Sequence, residues 1–260
     1  MPDSSRHQPT IRVLDVLERL ASAPQGLSLT ALAADTGFSK STLFPIMKTL
    51  LARRYIRLAP DTLRYLWGVG GIALAGAGMA AAPWLSAIND EMRAVVQGCG
   101  EVCQMGVLEG RDILYVAKVE AKRQVRLLSQ VGKRLPANCT ALGKALLAQF
   151  DRARLEEIFA DGLPGFTERS SVTLDDLEAR LEEVRRLGYA EDDRELHEET
   201  VCLAVALRQR GRPVAAISVS LPVFRANGEA REAILGLLFA ARERVEAMLD
   251  GLPELNFAED

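Results

Sequence analysis

The chain has 260 residues, 48% of them hydrophobic, so it can bury a real core and is long enough for two moderate domains. Its formal charge of −3 hides an asymmetry: residues 1–70 hold nine Lys/Arg against five Asp/Glu, a local +4 that leaves −7 for the rest. A polyanion is therefore expected to meet only the front end. Cys99, Cys103, Cys139 and Cys202 show no CxxC spacing, and His7 and His197 lie apart from any cysteine cluster. No metal or cofactor is expected, and reduced thiols in the cytoplasm are the simpler reading. The opening MPDSSRHQ lacks the apolar stretch of a signal peptide.

In chain order, Ile11, Leu14, Leu17 and Leu20, with Val13 and Val16 alongside, predict a first helix ending before Ala23-Pro24-Gln25-Gly26. Ser28 caps a second, with Leu29, Leu32 and Ala33 inward, and Gly37 supplies the left-handed residue at its end. Ser39 then caps a third helix whose buried face is Leu43, Ile46, Met47 and Leu50. Two helices around a tight glycine turn make a helix-turn-helix. "YIRLAPDTLRYLWG" follows, a hairpin over Tyr55–Leu58 and Leu63–Trp67, so the module is the winged variant. A plain three-helix core would show the same stripes, but caps, glycine turn and hairpin in this order favour nucleic-acid binding.

The third helix would present Ser41, Phe44, Pro45 and Lys48 outward, with Ser39, Lys40 and Thr42 at its N-terminal end. These are the candidate DNA contacts, joined by Arg57 and Arg64 on the wing. Lys40, Ser41 and Thr42 suit phosphates or base acceptors, while Phe44 and Pro45 offer only apolar contact, suited to thymine methyl groups. As the sixth helical residue, Pro45 removes the hydrogen bond to Ser41 and costs on the order of 3 kcal/mol or a bend.

Between Arg64 and Asp90 no residue is charged, a run long enough in principle to cross a bilayer. "GVGGIALAGAGMAAAP" is mostly Gly and Ala and is interrupted by Pro83, so a packed helix is expected instead of a span. Ala73, Ala77 and Ala80 beside Ile72, Leu74 and Met79 fit a linker helix that also dimerises, or an intrachain core helix. The expected division is a winged domain over 1–68, a linker over 69–83 and a second domain over 84–260.

The second domain opens with a helix from Trp84 to about Gln97, a hairpin around Glu109-Gly110-Arg111-Asp112, and a strand in "QVRLLSQVG" over 124–132. A helix opens near Thr140, "LEEIFA" and "DDLEARLEEVRRLG" are amphipathic helices, and strands are expected around Tyr189, over Val201–Leu207 and over Pro213–Leu221. A long helix closes the chain with Ile234, Leu237, Leu238, Ala241, Val245 and Met248 inward. Strands and helices segregated in this way predict an α+β domain. The start of the helix at "CTALG" turns the N–H groups of Thr140, Ala141 and Leu142 outward, suited to a carboxylate, although a plain capped helix reads the same.

Taken together, "LSLTALAADTGFSKSTL", "LRYLWG", "VGKRLPANCTALGKALLA", "DDRELHEETVCLA" and "AAISVSLP" make the chain resemble the IclR family of bacterial transcriptional regulators along nearly all of its length. The resemblance implies a GAF-like effector-binding fold behind the winged helix-turn-helix and a homodimer or dimer of dimers on operator DNA. A small organic acid or carbonyl metabolite would be the effector. It points to Asp192, Cys202, Ser218 and Ser220 as polar groups of the effector pocket, with Met105 and Leu127 as apolar wall. The family usually has arginine where Pro45 stands, glycine where Arg54 stands, and commonly glycine near Glu199. Two competing readings are a small-molecule hydrolase with Cys202 as nucleophile, His197 as base and Asp192 orienting it, and a winged module that binds protein instead of DNA.

Overall fold

A computed structural model describes residues 7–121 and 130–255; Leu127, and with it most of the strand expected over 124–132, lies outside the described residues. Two compact units divide the chain, Met1–Pro83 and Trp84–Asp260.

The first unit contains α1 (Gln8–Ala21), α2 (Leu29–Thr36), α3 (Lys40–Ala52), the antiparallel pair β1 (Ile56–Ala59) and β2 (Arg64–Trp67), and α4 (Val69–Ala80). Its core is Val16, Leu20, Leu32, Leu43, Met47, Leu50 and Ile56, one buried stripe from each helix plus the base of the hairpin. Local chemistry sets the breaks. The Ser28 hydroxyl accepts from the Ala31 N–H at 3.1 Å, Gly37 takes φ +71 after α2, and the Ser39 hydroxyl accepts from the Thr42 N–H at 3.2 Å. Pro45 does not end α3, which continues to Ala52.

At the far end of α3 the Tyr55 N–H bonds to the Leu50 carbonyl at 2.9 Å and the Arg54 N–H to the Leu51 carbonyl at 3.0 Å. This is a Schellman closure, and its left-handed residue is Arg54 at φ +60, the position where the resemblance leads one to expect glycine. No such backbone demand exists at Glu199; the left-handed residue of that loop is Arg194 at φ +64. On α4, Val69, Ile72, Leu74 and Met79 are all 58–65% exposed, so one copy of the chain does not bury this helix as a core element. Among the described residues no single helix is long and apolar enough to cross a membrane.

The second unit runs α5 (Pro83–Cys99), β3 (Val102–Glu109), β4 (Asp112–Val119), β5 (Arg134–Pro136), α6 (Ala141–Leu147), α7 (Arg152–Ile158), α8 (Leu174–Leu187), β6 (Ala190–Asp193), β7 (Thr200–Gln209), β8 (Arg212–Pro222) and α9 (Gly228–Asp250). The strands form one antiparallel sheet in the order β5-β4-β3-β8-β7-β6. Because side chains alternate across a strand, the two faces receive different residues. Cys103, Met105 and Val107, Val201 to Leu207 at every second position, and Ile217 to Leu221 likewise pack against Ile88 and Met92 of α5 and Ile234, Leu238 and Val245 of α9. The other face is built from small residues, Ala204, Ala206 and Ala216, beneath α6, α7 and α8. This is the expected α+β fold, with β5 as a short strand that the periodicity did not reveal.

Candidate functional site

Two surfaces carry chemistry. On the first unit, Lys40, Ser41, Phe44, Pro45 and Lys48 share the exposed side of α3, while Leu43, Met47 and Leu50 point into the core and Ile46 is half-buried. Thr42 is half-buried, and its hydroxyl lies 2.9 Å from that of Ser39, which also lies 2.8 Å from the Ser41 hydroxyl. The Thr49 hydroxyl donates to the Pro45 carbonyl at 3.0 Å. Arg57 stands exposed on β1. Arg64 stands exposed on β2, and its Nη1 donates at 2.9 Å to the Gly26 carbonyl, tying the wing to the turn before α2. Gly26 is itself required there, since a Cβ would lie 2.5 Å from the Tyr65 carbonyl oxygen and its φ is +67.

On the second unit, the small-residue face of the sheet and the start of α6 enclose a cavity of about 360 Å³. Thr140, Ala141, Leu142, Asp192, Cys202, Ser218 and Ser220 all line it. The register explains why. Gln104 on β3 sits opposite Ser218 on β8, Ser220 opposite Cys202 on β7, and Cys202 opposite Asp192 on β6, so a polar row crosses four neighbouring strands on one face. Gln104 Nε2 donates to Ser220 Oγ at 3.3 Å, and Ser220 Oγ lies 3.1 Å from Cys202 Sγ. Opposite the row, Leu135, Leu142 and Leu196 give apolar wall. Beside the cavity α6 packs closely: at Gly143 a Cβ would come within 2.1 Å of the Ala137 carbonyl oxygen.

Met105 is not part of this wall. Its side chain is fully buried on the opposite face, against the α5 and α9 layer, because it is one residue out of phase with the cavity side of β3. Gln104, its neighbour, lines the cavity instead, as does Tyr115 on β4. The signal was present in the sequence, since a glutamine inside the run "EVCQMGV" marks the face that is not plain core.

Electrostatics distinguish the cavity further. Asp192 is almost wholly buried, and burial pushes its carboxyl up to about 7, with nearby Lys144 working in the opposite direction. Its Oδ1 accepts from the Glu195 N–H at 2.7 Å and the Leu196 N–H at 3.4 Å. Lys144 on α6, buried as well, is ion-paired with Glu195, whose second carboxylate oxygen finds no partner among the described residues. Burial also drives the Tyr115 hydroxyl and the Cys202 thiol well above their ordinary ranges. His197 is exposed at the cavity's edge, where its Nδ1 accepts from the Glu199 N–H at 3.3 Å. Thr140 spends its hydroxyl on the Gly143 N–H at 3.1 Å. α6 is only seven residues long, so its dipole is a minor contribution.

A winged helix-turn-helix with an outward basic helix, on one chain with an α+β unit that encloses a small mixed cavity, defines a DNA-binding protein that senses a small molecule. Comparison with known proteins makes this specific. Residues 80–247 match the family described as "Bacterial transcriptional regulator IclR C-terminal" and residues 10–60 the "IclR helix-turn-helix domain". The chain belongs to the IclR family of ligand-responsive bacterial transcriptional regulators. It is 27% identical over 251 residues to the HTH-type transcriptional regulator KdgR of Escherichia coli (strain K12), covering 95% of this chain and 94% of that protein. In structure it is similar to an IclR transcriptional regulator from Alicyclobacillus acidocaldarius, with a TM-score of 0.87, 22% identity and coverage of 95% and 100%. An IclR homolog from Microbacterium hydrocarbonoxydans, complexed with 4-hydroxybenzoate, matches with a TM-score of 0.83, 23% identity and coverage of 94% and 100%.

Proposed function

We propose that the cavity of the second unit takes a small organic acid or carbonyl metabolite, and that its occupancy changes the affinity of the first unit for an operator duplex. The observation that carries this reading is the polar row from Gln104 through Ser220 and Cys202 to Asp192, set against an apolar wall in a cavity of about 360 Å³. That volume sits at the small end of ligand pockets. An ionised Asp192 would repel an acid, but a carboxyl kept protonated near neutral pH by burial donates a hydrogen bond to one. The 4-hydroxybenzoate held by the Microbacterium homologue is a compound of this class.

On the DNA side, Lys40, Lys48 and Arg57 supply phosphate contacts and the exposed face of α3 enters the major groove. The apolar, exposed α4 supports a homodimer, or a dimer of dimers, with a second copy covering Ile72, Leu74 and Met79. Effector binding works by population shift between DNA-competent and incompetent states. The site of action is the cytoplasm. A binder fits better than a hydrolase, since the Cys202 thiol is held neutral by burial and faces Ser220, while the His197 ring is engaged with the Glu199 backbone.

Thermal-shift screening of small carboxylates, aldehydes and aromatic acids identifies the effector, since a binder raises the melting point by mass action. Mobility shifts on the DNA upstream of the gene, with and without the hit, then measure the coupling. A screen in which no compound stabilises the wild type more than a Ser218→Ala/Ser220→Ala variant would overturn the assignment.

A further inference from the structure

The exposed side of α3 holds few groups able to read a base, and the structure reduces them further. Between Lys40 and Ala52 there is no Arg, Asn or Gln, the side chains that grip a base edge with two hydrogen bonds. The hydroxyls of Ser41 and Thr42 each bond to that of Ser39, at 2.8 and 2.9 Å, and the Ser39 hydroxyl also caps the helix. The Arg64 guanidinium is engaged by the Gly26 carbonyl. Lys40 and Lys48 are compact point charges suited first to phosphate, and a lysine that reaches a base edge reads guanine and not thymine.

What remains is apolar. Phe44 is 60% exposed, one residue before the equally outward Pro45 and between Ser41 and Lys48 on the same face. Nothing in the core requires an aromatic there, since Leu43, Met47 and Leu50 already fill the inward side. Pro45 adds a ring at a position where a proline is costly to a helix.

We propose that Phe44, flanked by the Pro45 ring, is the specificity-determining residue of the winged unit and reads the C5-methyl groups of thymines in the major groove. This rests on the proposal that α3 enters that groove. The major groove displays the thymine methyl and no equivalent on unmodified cytosine, so apolar contact there separates A·T from the other pairs and gives direction to the reading. The operator half-site is accordingly one with thymines opposite the first two turns of α3, and its specificity resides in methyl groups instead of hydrogen-bonding edges.

The test begins with selection of bound duplexes from a random-sequence pool by the full-length protein. Each thymine of the enriched site is then replaced by deoxyuridine, which removes the methyl and nothing else. Wild-type affinity is expected to fall about fourfold for each contacted methyl, the worth of one buried carbon. Placing 5-methylcytosine at a contacted position restores part of an affinity lost by a thymine-to-cytosine change. Phe44→Ala binds the thymine and deoxyuridine duplexes equally, whereas Lys48→Ala weakens both by the same factor and keeps their ratio. Phe44 is exposed, so the alanine variant retains its fold, checked by an unchanged melting temperature. Wild-type binding that ignores deoxyuridine at every position, or discrimination that survives in Phe44→Ala, overturns the proposal while leaving DNA binding intact. A pool that yields no enriched duplex overturns the entry of α3 into the groove as well.

Discussion

Replacing Asp192 by Asn should stabilise the protein most at pH 8, by about a third as much at pH 5, and hardly at all below about pH 3.9. The folded carboxyl keeps its proton up to about 7, whereas an unfolded aspartate releases it near about 3.9. Between those values the folded state binds more protons than the unfolded one, so stability falls as pH rises through the window and is at its full value only below it. A displacement of about three pKa units sets a ceiling of about 4 kcal/mol on the cost of holding Asp192 ionised. Water admitted to the cavity relaxes part of that cost, leaving an expected gain for the variant on the order of 2 kcal/mol at pH 8. Asparagine keeps the oxygen that accepts from the Glu195 and Leu196 N–H groups, so the loop geometry survives the change. In thermal denaturation the gain reads as roughly 4–8 °C at pH 8 for a domain of this size. Equal melting-temperature differences at pH 5 and pH 8, or a loss of stability at pH 8, would refute the reasoning. The same titration predicts that an acidic effector binds wild type more weakly above pH 7 and binds Asp192→Asn with little pH dependence.

Arg54→Gly should stabilise the first unit by about 0.5–1 kcal/mol, because a left-handed backbone costs an L side chain about 1–2 kcal/mol and the added freedom of glycine in the unfolded chain returns only part of it; urea denaturation of the full-length protein reads the gain. Lys144→Met should destabilise the second unit by about 3–5 kcal/mol by stranding the buried Glu195, and adding Glu195→Leu should recover most of the loss. Calorimetry on the single and double variants distinguishes this from a packing defect, which the second substitution would deepen. Ile72→Asp on α4 should weaken self-association at least tenfold, since it places a charge in the surface assigned to the second copy. Sedimentation velocity gives the answer, and an unchanged oligomer would move the interface elsewhere.

The parts of this molecule legible in its sequence are those set by neighbours along the chain. Ser28, Gly37 and Ser39 announce the helix-turn-helix because a cap or a left-handed turn involves residues two to five positions apart. Arg54 shows the limit of that legibility: the Schellman closure forms although its residue is a poor one for the role, because the Leu50 and Leu51 carbonyls still need donors. The sheet order was not readable, since β3 pairs with β8 across more than a hundred residues and no local pattern encodes that choice. Phase was the weak point at Met105: Gln104 and Met105 are both buried, so the period-2 alternation alone did not tell which faced the cavity. The Lys144–Glu195 pair spans 51 residues, and its sequence trace was a lone lysine within the apolar run "ALGKALLA".

Two of the places where local rules are broken face a surface or a cavity. A proline sits mid-helix beside an exposed phenylalanine on the outer side of α3, and Asp192 is buried in the cavity wall with the buried Lys144–Glu195 pair near it. Other elements obey their patterns: α9 buries Ile234, Leu238, Ala241, Val245 and Leu249 at regular helical spacing, and β7 alternates without exception from Val201 to Leu207 between the two layers. A costly proline on an outward helix face and a carboxyl buried in a cavity wall are what a protein shows when stability is given up for contact with something outside itself. The two contacts differ in kind. The basic first unit meets a polyanion whose charge is uniform and whose identity lies in its groove, so cations hold and an apolar pair discriminates. The acidic second unit admits a small guest to a neutral interior, so its carboxyl must keep its proton to hold an acidic guest, and a rise in pH that removes the proton weakens the hold.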